Sequence, residues 1–292
     1  MSNRFLGKKV IVTGNAGFVG SHLADQLILE GAEVYGLDNM SSGDKKNINP
    51  LVKHRYVDFV NKDNLFDYFE FVKPDYVFHV GAWGRMPMCL EDPIGAYQNN
   101  VMGTINVLEA SRRQNVKKVV LMSSCIVYCE ETPYKSSKVA LEDIARVYRK
   151  QYGLSTLSLR CANIYGTRQN IEKDSAMFAM LRKSYDENKE IRIFGDGEQT
   201  RDWTNVKDIV EANLLGALAS FEGEVDVCTG KSISLNYIVD ILKGITPDLK
   251  VLYLKERQGD AKHINLNPLQ AKEAFEFEAK INFEEGIKEI WH

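Results

Sequence analysis

Short apolar runs rich in β-branched residues alternate with longer segments of helical periodicity through about the first 160 residues of the chain. The runs predict strands over 9–12, 33–37, 76–80, 119–122 and 156–160. The intervening segments predict helices over about 21–30, 96–114 and 134–152. Strands that are apolar throughout and separated by helices are typical of a parallel sheet covered on both faces. This part of the chain is therefore predicted to be a doubly wound α/β domain.

The alternation of predicted strands and helices becomes less regular after Gly166. Helical stretches over about 174–188, 206–220 and 234–243 are interrupted by strand-like runs over 191–194, 225–228 and 249–253. We expect a first lobe over 1–165 plus about 204–232, and a smaller C-terminal α/β lobe over about 166–203 and 233–292. The polar segment 41–46 is predicted to be a solvent-exposed loop.

The composition narrows the class of protein. The chain has 292 residues, of which 44% are hydrophobic and 26% charged, and its formal net charge is -3. This balance gives no reason to expect nucleic acid or an anionic membrane as a partner. The first residues lack the apolar core of a signal peptide, and no apolar stretch approaches the ~18 residues of a membrane helix. We therefore expect a cytoplasmic enzyme or binding protein.

The cysteines and histidines do not form a recognisable metal or disulfide pattern. The five cysteines are odd in number and show no CxxC spacing, and the five histidines are scattered along the chain. Neither a disulfide framework nor a metal site is expected. His79 lies in an apolar strand and is interpreted as a core histidine.

Three glycines follow the first predicted strand in the segment Thr13-Gly14-Asn15-Ala16-Gly17-Phe18-Val19-Gly20. In order, they would supply unusual backbone dihedrals, close approach of a ligand and tight packing of the next helix. That helix would direct unpaired N–H groups and a partial positive charge at a pyrophosphate. Asp38 closes the second strand, where a carboxylate accepts hydrogen bonds from the adenosine ribose and repels a 2′-phosphate. The segment therefore predicts a dinucleotide site that favours NAD(H) over NADP(H).

Tyr134 and Lys138 lie four residues apart at the start of a predicted helix, after a strand that ends at Ser124. This spacing puts the phenol and the ammonium on one helix face. Lowering a phenol pKa from about 10 to ~7, as a general base requires, takes roughly 4 kcal/mol of preferential phenolate stabilisation. We expect the charges of Lys138 and of an oxidised nicotinamide to supply it, and Ser124 to orient the reacting hydroxyl. Together with the glycine segment, these residues predict a redox enzyme.

The chain resembles the extended short-chain dehydrogenase/reductase superfamily, and within it the NAD-dependent nucleotide-sugar epimerases and dehydratases, such as UDP-glucose 4-epimerase. Besides the two motifs above, the resemblance rests on Val57-Asp58-Phe59, His79-Val80-Gly81-Ala82, Asn100-Val101-Met102-Gly103-Thr104, Arg160-Cys161-Ala162-Asn163-Ile164-Tyr165-Gly166, Phe194-Gly195-Asp196-Gly197-Glu198-Gln199-Thr200-Arg201-Asp202-Trp203 and Arg257-Gln258-Gly259-Asp260. It covers essentially the whole chain. The resemblance implies a Rossmann-type NAD-binding first lobe and a nucleotide-sugar-binding second lobe.

The resemblance also implies roles for individual residues. Arg201 and Arg257 are expected to contact the diphosphate of the nucleotide sugar, because a planar guanidinium matches phosphate oxygens. Asn163 is expected near the same diphosphate, and Ser124 and Cys125 beside the sugar. The implied NAD-binding residues are Gly14, Gly17, Phe18, Val19, Asp38, Asn39, Asp58, Phe59, Val80, Ala82, Asn100, Tyr134 and Lys138.

The chain departs from the family pattern in three respects. Only nine residues separate Ser124 from Tyr134, where many relatives carry a longer loop beside the sugar, so a more open pocket is expected. Cys125 and Ile126 stand where the 4,6-dehydratases have Asp-Glu, and Ile126 cannot donate a proton to a leaving group. Trp83 replaces the usual Gln or Glu after Ala82.

The resulting hypothesis is an NAD-dependent 4-epimerase of a nucleoside-diphosphate hexose, a UDP-sugar being the commonest case in the family. Tyr134 would take the proton of the sugar 4-hydroxyl, and a transient 4-keto sugar would turn over before reduction on its opposite face. The resemblance implies a homodimer. Two alternatives stay open: a dehydratase that uses Cys125 as its acid, and a non-catalytic NAD-sensing protein of the same fold.

Overall fold

The computed structural model describes residues 3–171, 177–256, 262–264 and 266–291. Its strands are β1 Lys9–Thr13, β2 Glu33–Asp38, β3 Lys53–Tyr56, β4 Tyr76–His79, β5 Lys118–Ser124, β6 Thr156–Cys161, β7 Asn163–Tyr165, β8 Ile191–Phe194, β9 Thr200–Asn205, β10 Gly223–Val227, β11 Ser232–Ser234 and β12 Val251–Leu254. Its helices are α1 Phe18–Leu29, α2 Lys62–Val72, α3 Met86–Glu91, α4 Pro93–Tyr97, α5 Gly103–Arg113, α6 Pro133–Tyr152, α7 Met177–Asp186, α8 Val206–Leu218, α9 Leu235–Ile245, α10 Pro268–Phe275 and α11 Phe283–Trp291.

Seven strands form one parallel sheet in the order β10-β6-β5-β4-β1-β2-β3. The chain runs outward from β1 in one direction through β2 and β3, and in the other through β4, β5 and β6. The order therefore reverses between β1 and β4, which is the switch point where doubly wound sheets bind ligands. The predicted Rossmann-type α/β class is confirmed.

The alternation of side chains along the strands divides the interior of this sheet domain into two cores. On β1, Val10 and Val12 lie in one core, whereas Ile11 lies in the other. Side chains of α1, α8 and α10 cover the first core, and side chains of α2, α5 and α6 cover the second. Because both faces are covered, the central strands β1, β4 and β5 are mostly apolar runs, which is the pattern that predicts them, whereas the edge strand β3 is polar and largely exposed.

A third core lies between the smaller elements. β7, β9 and β11 form one sheet and β8 pairs with β12 in another. Tyr165, Phe178, Trp203 and Trp291 pack together with residues of α9 in this core. We propose these elements as the second lobe. α10 and the residues just after it lie elsewhere, however, because Phe275 and Phe277 pack in the first core, against the sheet domain.

The predicted helix over 96–114 is interrupted in the structure. The chain forms α4, then a π-helical turn at Gln98–Met102, and then α5. In this turn the N–H of Gly103 donates to the carbonyl of Gln98, five residues earlier. Such turns are rare and frequently lie at functional sites. The rest of the predicted elements agree with the structure to within a few residues, although 174–176 lie outside the described residues.

Within the described residues, no helix combines the length and apolar character that are needed to cross a bilayer.

Candidate active site

A cavity of about 660 Å³ opens at the carboxyl edge of the seven-stranded sheet. The turn after β1, the end of β2 and the segment after β4 line one part of it. The end of β5, the start of α6 and the segment after β6 line the other. The cavity thus straddles the switch point of the sheet and is large enough for drug-sized ligands.

The glycine turn is fitted closely to its surroundings. Gly14 has a φ of +69°, and a Cβ added to it would lie 2.8 Å from the Cα of Gly81. A Cβ on Gly20 would overlap the carbonyl oxygen of Gly14, so the start of α1 packs directly on the turn. Gly17 caps α1 without a side-chain hydrogen bond. The first N–H groups of α1 are thus left facing an anion site, which fits a pyrophosphate.

Asp38 lines the same part of the cavity. Its carboxylate accepts hydrogen bonds from the N–H groups of Ala16, at 3.1 Å, and Met40, at 2.8 Å. These bonds fix the carboxylate beside the glycine turn. The following segment is largely solvent-exposed, as predicted, and its residues Ser41 and Ser42 also line the cavity. The sequence placed them in a polar run but gave no indication that the run folds back over Asp38.

Most of the residues implied for NAD binding line the cavity: Gly14, Gly17, Phe18, Val19, Asp38, Asn39, Phe59, Val80, Ala82, Tyr134 and Lys138. Two others, Asp58 and Asn100, do not line it. Asp58 accepts a hydrogen bond from Asn39 at 3.2 Å, and Asn100 is 2% exposed. The amide of Asn100 bonds to both the N–H and the carbonyl of Trp83 and to the hydroxyl of Ser137. Both residues are therefore placed to support the cavity wall.

The helix that carries the predicted Tyr-Lys pair is held at both ends. Thr132 caps α6 by accepting a hydrogen bond from the N–H of Lys135 at 3.1 Å, and Pro133 occupies its first turn. Gly153 ends it in the left-handed conformation, with a φ of +68°. The capping places Tyr134 in the first turn of α6, which faces the cavity.

Ser124, Tyr134 and Lys138 all line the cavity. Ser124 is the last residue of β5, and its hydroxyl accepts a hydrogen bond from the N–H of Ile126 at 3.2 Å. The Nζ of Lys138 lies 5.9 Å from the centre of the Tyr134 ring and donates to the carbonyl of Met122 at 2.6 Å. A Cβ added to Gly84 would lie 4.0 Å from the phenol oxygen, so Gly84 marks the space in front of it.

Burial dominates the electrostatics of this pair. It raises the pKa of the Tyr134 phenol, and the hydrogen bond with Ser124 offsets only part of the rise. Burial also lowers the pKa of Lys138 from 10.5 to about 8. The phenol is therefore protonated at neutral pH unless positive charge is added to the cavity. At an effective dielectric constant of ~20, one unit charge about 4 Å away would contribute roughly 4 kcal/mol towards ionising it.

The middle of α6 is fixed to the sheet by a buried carboxylate. Glu142 accepts a hydrogen bond from Ser123 at 2.6 Å. It also forms a bidentate ion pair with Arg160, at 2.9 and 2.7 Å. Glu142 is 4% exposed, so the pair is largely desolvated. The contacts join α6 to β5 and β6 two turns after Tyr134.

Four residues expected at the sugar or its diphosphate line the cavity: Ser124, Cys125, Asn163 and Arg201. Arg201 is held by the carbonyls of Thr200 and Lys262. The Sγ of Cys125 lies 3.8 Å from the Oδ1 of Asn163, and burial raises the pKa of this thiol to about 12. Arg257, the second predicted diphosphate ligand, lies outside the described residues.

Several lining residues were not predicted as part of the site. Many of them are apolar, and Cys129, Glu130 and Thr132 come from the short segment before α6. The unpredicted residues include Gly84, Met86, Leu90, Asn99, Met122, Cys161, Gln169, Trp203 and Ile264. Trp83 and Ile126 stood out in the sequence as departures from the family pattern, and Cys161 and Trp203 lie in motifs that carry the resemblance.

A parallel sheet with a glycine turn at its switch point and a Ser-Tyr-Lys set at the same edge defines a dinucleotide-dependent enzyme of the short-chain dehydrogenase/reductase type. The comparison with family models gives the narrower class. The chain belongs to the NAD dependent epimerase/dehydratase family, whose model matches residues 10–226. NAD is the cofactor of this family.

Related proteins agree with this class over nearly the full length. The chain is 34% identical over 297 residues to a putative UDP-glucose 4-epimerase of Methanocaldococcus jannaschii, with 96% of each protein covered. It is similar in structure to the UDP-glucose 4-epimerase of Thermotoga maritima solved with UDP-glucose, with a TM-score of 0.93, 31% identity and 97% of each chain covered. The Thermus thermophilus UDP-glucose 4-epimerase solved with NAD has a TM-score of 0.89 and 30% identity, and the match covers 97% of this chain and 98% of that one.

Proposed function

We propose that this protein is an NAD-dependent nucleotide-sugar 4-epimerase that acts on a nucleoside-diphosphate hexose, with a UDP-sugar as the first candidate. The observation that carries the proposal is the meeting of Ser124, Tyr134 and Lys138 in the cavity that also contains the glycine turn. The relatives named above are UDP-glucose 4-epimerases by description, which supports the same reaction class.

The chain offers binding groups for the pyrophosphate and for both riboses of the dinucleotide. Gly14, Gly17 and the start of α1 would hold the pyrophosphate, and Asp38 would hold the adenosine ribose. Lys138 would hold the nicotinamide ribose. When bound, oxidised NAD supplies the hydride acceptor, and once reduced it supplies the hydride donor.

Tyr134 is the proposed proton acceptor for the sugar 4-hydroxyl. Its oxygen faces the space beside Gly84, and the Ser124 hydroxyl lies close enough to orient a shared ligand. The proton that Tyr134 takes is returned when the 4-keto sugar, after turning over, is reduced on its opposite face. This cycle needs no further acid or base on the protein.

The nucleotide would lie towards the second lobe. Arg201 and Asn163 line the cavity beyond Cys125, and we propose that they hold the diphosphate. The cavity wall also contains the apolar side chains of Trp83, Met86 and Leu90. Glu130 lies on the same short segment as Cys129, and its carboxylate would repel a sugar acid. We therefore propose a neutral hexose, tested by comparing kcat/KM for UDP-glucose and UDP-glucuronate.

Replacement of the proposed base tests the function directly. In Tyr134→Phe, turnover should fall about a thousandfold or more, whereas NAD should still bind, because the phenol contributes only one of many contacts. Tyr152→Phe is the matched control, since that residue lies at the exposed end of the same helix. A Tyr134→Phe enzyme with near-wild-type turnover would remove Tyr134 as the base.

The dehydratase alternative is less well supported by the site. A thiol with a pKa of about 12 is a weak acid, and Cys125 is the group that would have to protonate the leaving hydroxyl. Turnover in deuterium oxide distinguishes the reactions, because elimination through C5 places solvent deuterium in the sugar product and simple 4-epimerisation does not. If NAD binds and no UDP-sugar stabilises the protein in a thermal-shift panel, the NAD-sensing alternative is favoured instead.

We also propose that the enzyme is a homodimer through α4 and α6. Ile94, Tyr97, Val139 and Val147 on these helices are large apolar residues that are 37–69% exposed. An exposed apolar surface of this kind on adjacent helices is typical of an interface. Light scattering should give twice the chain mass, and Val147→Lys should shift the protein towards the monomer. A monomeric wild type would contradict the proposal.

A further inference from the structure

A continuous chain of buried hydrogen bonds passes through His79, a residue without a role in the proposed reaction. On one side, the Nδ1 of His79 lies 2.9 Å from the hydroxyl of Thr13. On the other, its Nε2 lies 3.1 Å from the hydroxyl of Thr104. All three side chains are at most 3% exposed. The chain therefore connects β1, β4 and α5 with little access to solvent.

The neighbours of Thr13 fix which atom donates each proton along this series of hydrogen bonds. The Thr13 hydroxyl accepts hydrogen bonds from the N–H groups of Val80, at 3.1 Å, and Gly81, at 2.9 Å. A hydroxyl has two acceptor lone pairs and one proton, so the proton of Thr13 must go to the Nδ1 of His79. The neutral ring then carries its own proton on Nε2.

The same direction of hydrogen-bond donation continues on the other side of the His79 ring. The Nε2 proton of His79 is donated to the hydroxyl of Thr104. The proton of Thr104 in turn goes to the carbonyl of Asn100, at 2.6 Å. Burial lowers the pKa of His79 to about 3, which agrees with a neutral ring. The edge-to-face contact with Phe59, at 5.4 Å between ring centres, holds the imidazole plane.

The two ends of this hydrogen-bond chain hold the two halves of the proposed site. One end is the Val80–Gly81 backbone, which lines the cavity beside Gly14. The other end is Asn100 in the π-helical turn, whose side chain bonds to the Trp83 backbone and to Ser137. The hydroxyl of Ser137 donates to the carbonyl of Tyr134 at 2.7 Å. Asn100 is thereby connected to the first turn of α6.

We propose that His79 is a positioning residue that sets the distance between the strand end beside the NAD site and the first turn of α6. Its ring, as the Nε2–H tautomer, holds the Asn100 carbonyl through Thr104 and thereby the π-helical turn. Asn100 then fixes Trp83 and α6 relative to each other. His79 transfers no proton in this scheme. The proposal rests on the proposed function, because the residue it positions is Tyr134.

Two substitutions of Thr104 separate positioning from simple stability. Thr104→Val removes the hydroxyl but keeps the β-branched shape, so the π-helical turn loses its link to His79. Thr104→Ser keeps the hydroxyl and serves as the matched control. We expect kcat to fall at least about tenfold in Thr104→Val, since small misplacements of catalytic groups cost that much or more. The Kd for NAD should stay within about twofold, and Thr104→Ser should stay near wild type in both.

The tautomer provides a readout that does not require turnover. In protein labelled with nitrogen-15 in its histidine rings, the signal that moves in Thr104→Ser belongs to His79. This signal should show a proton on Nε2 and none on Nδ1. A proton on Nδ1, or a Thr104→Val enzyme with kcat within twofold of wild type, would overturn the proposal. Absence of turnover in the wild type would instead overturn the proposed function, and the ring spectrum would still test the hydrogen-bond order.

Discussion

Lys138 carries a buried charge whose cost can be measured as a dependence of stability on pH. Its side chain is 3% exposed, and burial lowers its pKa from 10.5 to about 8 in the folded protein. The shift of roughly 2.5 units corresponds to about 3 kcal/mol. The folded state bears this cost wherever Lys138 is protonated, which is at pH values below about 8.

The sign of the effect follows from proton binding. Between pH 8 and 10.5 the unfolded chain holds the Lys138 proton and the folded protein has released it, so the free energy of unfolding rises with pH. Lys138→Met removes this contribution. The stability of the variant relative to wild type should therefore fall by about 3 kcal/mol as the pH rises from 7 to 10.5. Other titrating groups cancel in the difference.

Urea denaturation at several pH values measures this difference. Both proteins should be stripped of dinucleotide, because a bound nicotinamide changes the charge around Lys138. Lys150→Met is the control, since Lys150 is an exposed lysine of the same helix and its difference from wild type should stay nearly constant. If the curves for wild type and Lys138→Met run parallel across this range, the Lys138 ammonium is not desolvated and the reasoning fails.

Three further predictions concern packing, chemistry and the support of α6. Gly20→Ala should weaken NAD binding at least about tenfold in isothermal titration, because the added Cβ would overlap the glycine turn. Gly153→Ala is the control, since Gly153 has a positive φ but open space around it. This control should lower the free energy of unfolding by only about 1 kcal/mol and leave NAD binding unchanged. Cys125→Ser should keep kcat within about threefold if the enzyme is an epimerase. A loss of a hundredfold or more would point back to an acid role for the thiol. Arg160→Ala should lower the free energy of unfolding by about 3 kcal/mol in urea titrations, because it leaves the buried Glu142 carboxylate unpaired. A change below about 1 kcal/mol would mean that water already reaches this carboxylate.

The parts of the fold that depend on local pattern could be predicted from the sequence. Strands such as β1 and β5 are buried on both faces, so their apolar runs are continuous and unambiguous. The glycine turn and the Tyr-Lys pair were found because each needs particular residue types at fixed spacing. The cavity brings both motifs together, since the carboxyl ends of β1 and β5 lie at the same edge of the sheet.

The parts that depend on distant partners could not be predicted. The π-helical turn is held by Thr104 and Asn100 through bonds to other elements, and helical periodicity does not reveal such bonds. Without a bound dinucleotide, burial raises the pKa of Tyr134. The sequence showed only the neighbouring lysine and not this burial. Phe275 reads as an ordinary helix residue, and nothing near it in the chain indicates which core it enters.

The position of Phe275 and Phe277 has a consequence for synthesis of the chain. Their rings complete the first core, where α10 packs against β10 and α8, which leave the ribosome about 50 residues earlier. Until the last segment emerges, the nascent sheet keeps an apolar patch that α10 will later cover. We expect co-translational holding by a chaperone, and aggregation of chains that stop before residue 268, even though every NAD-binding residue proposed for the first lobe has by then been made.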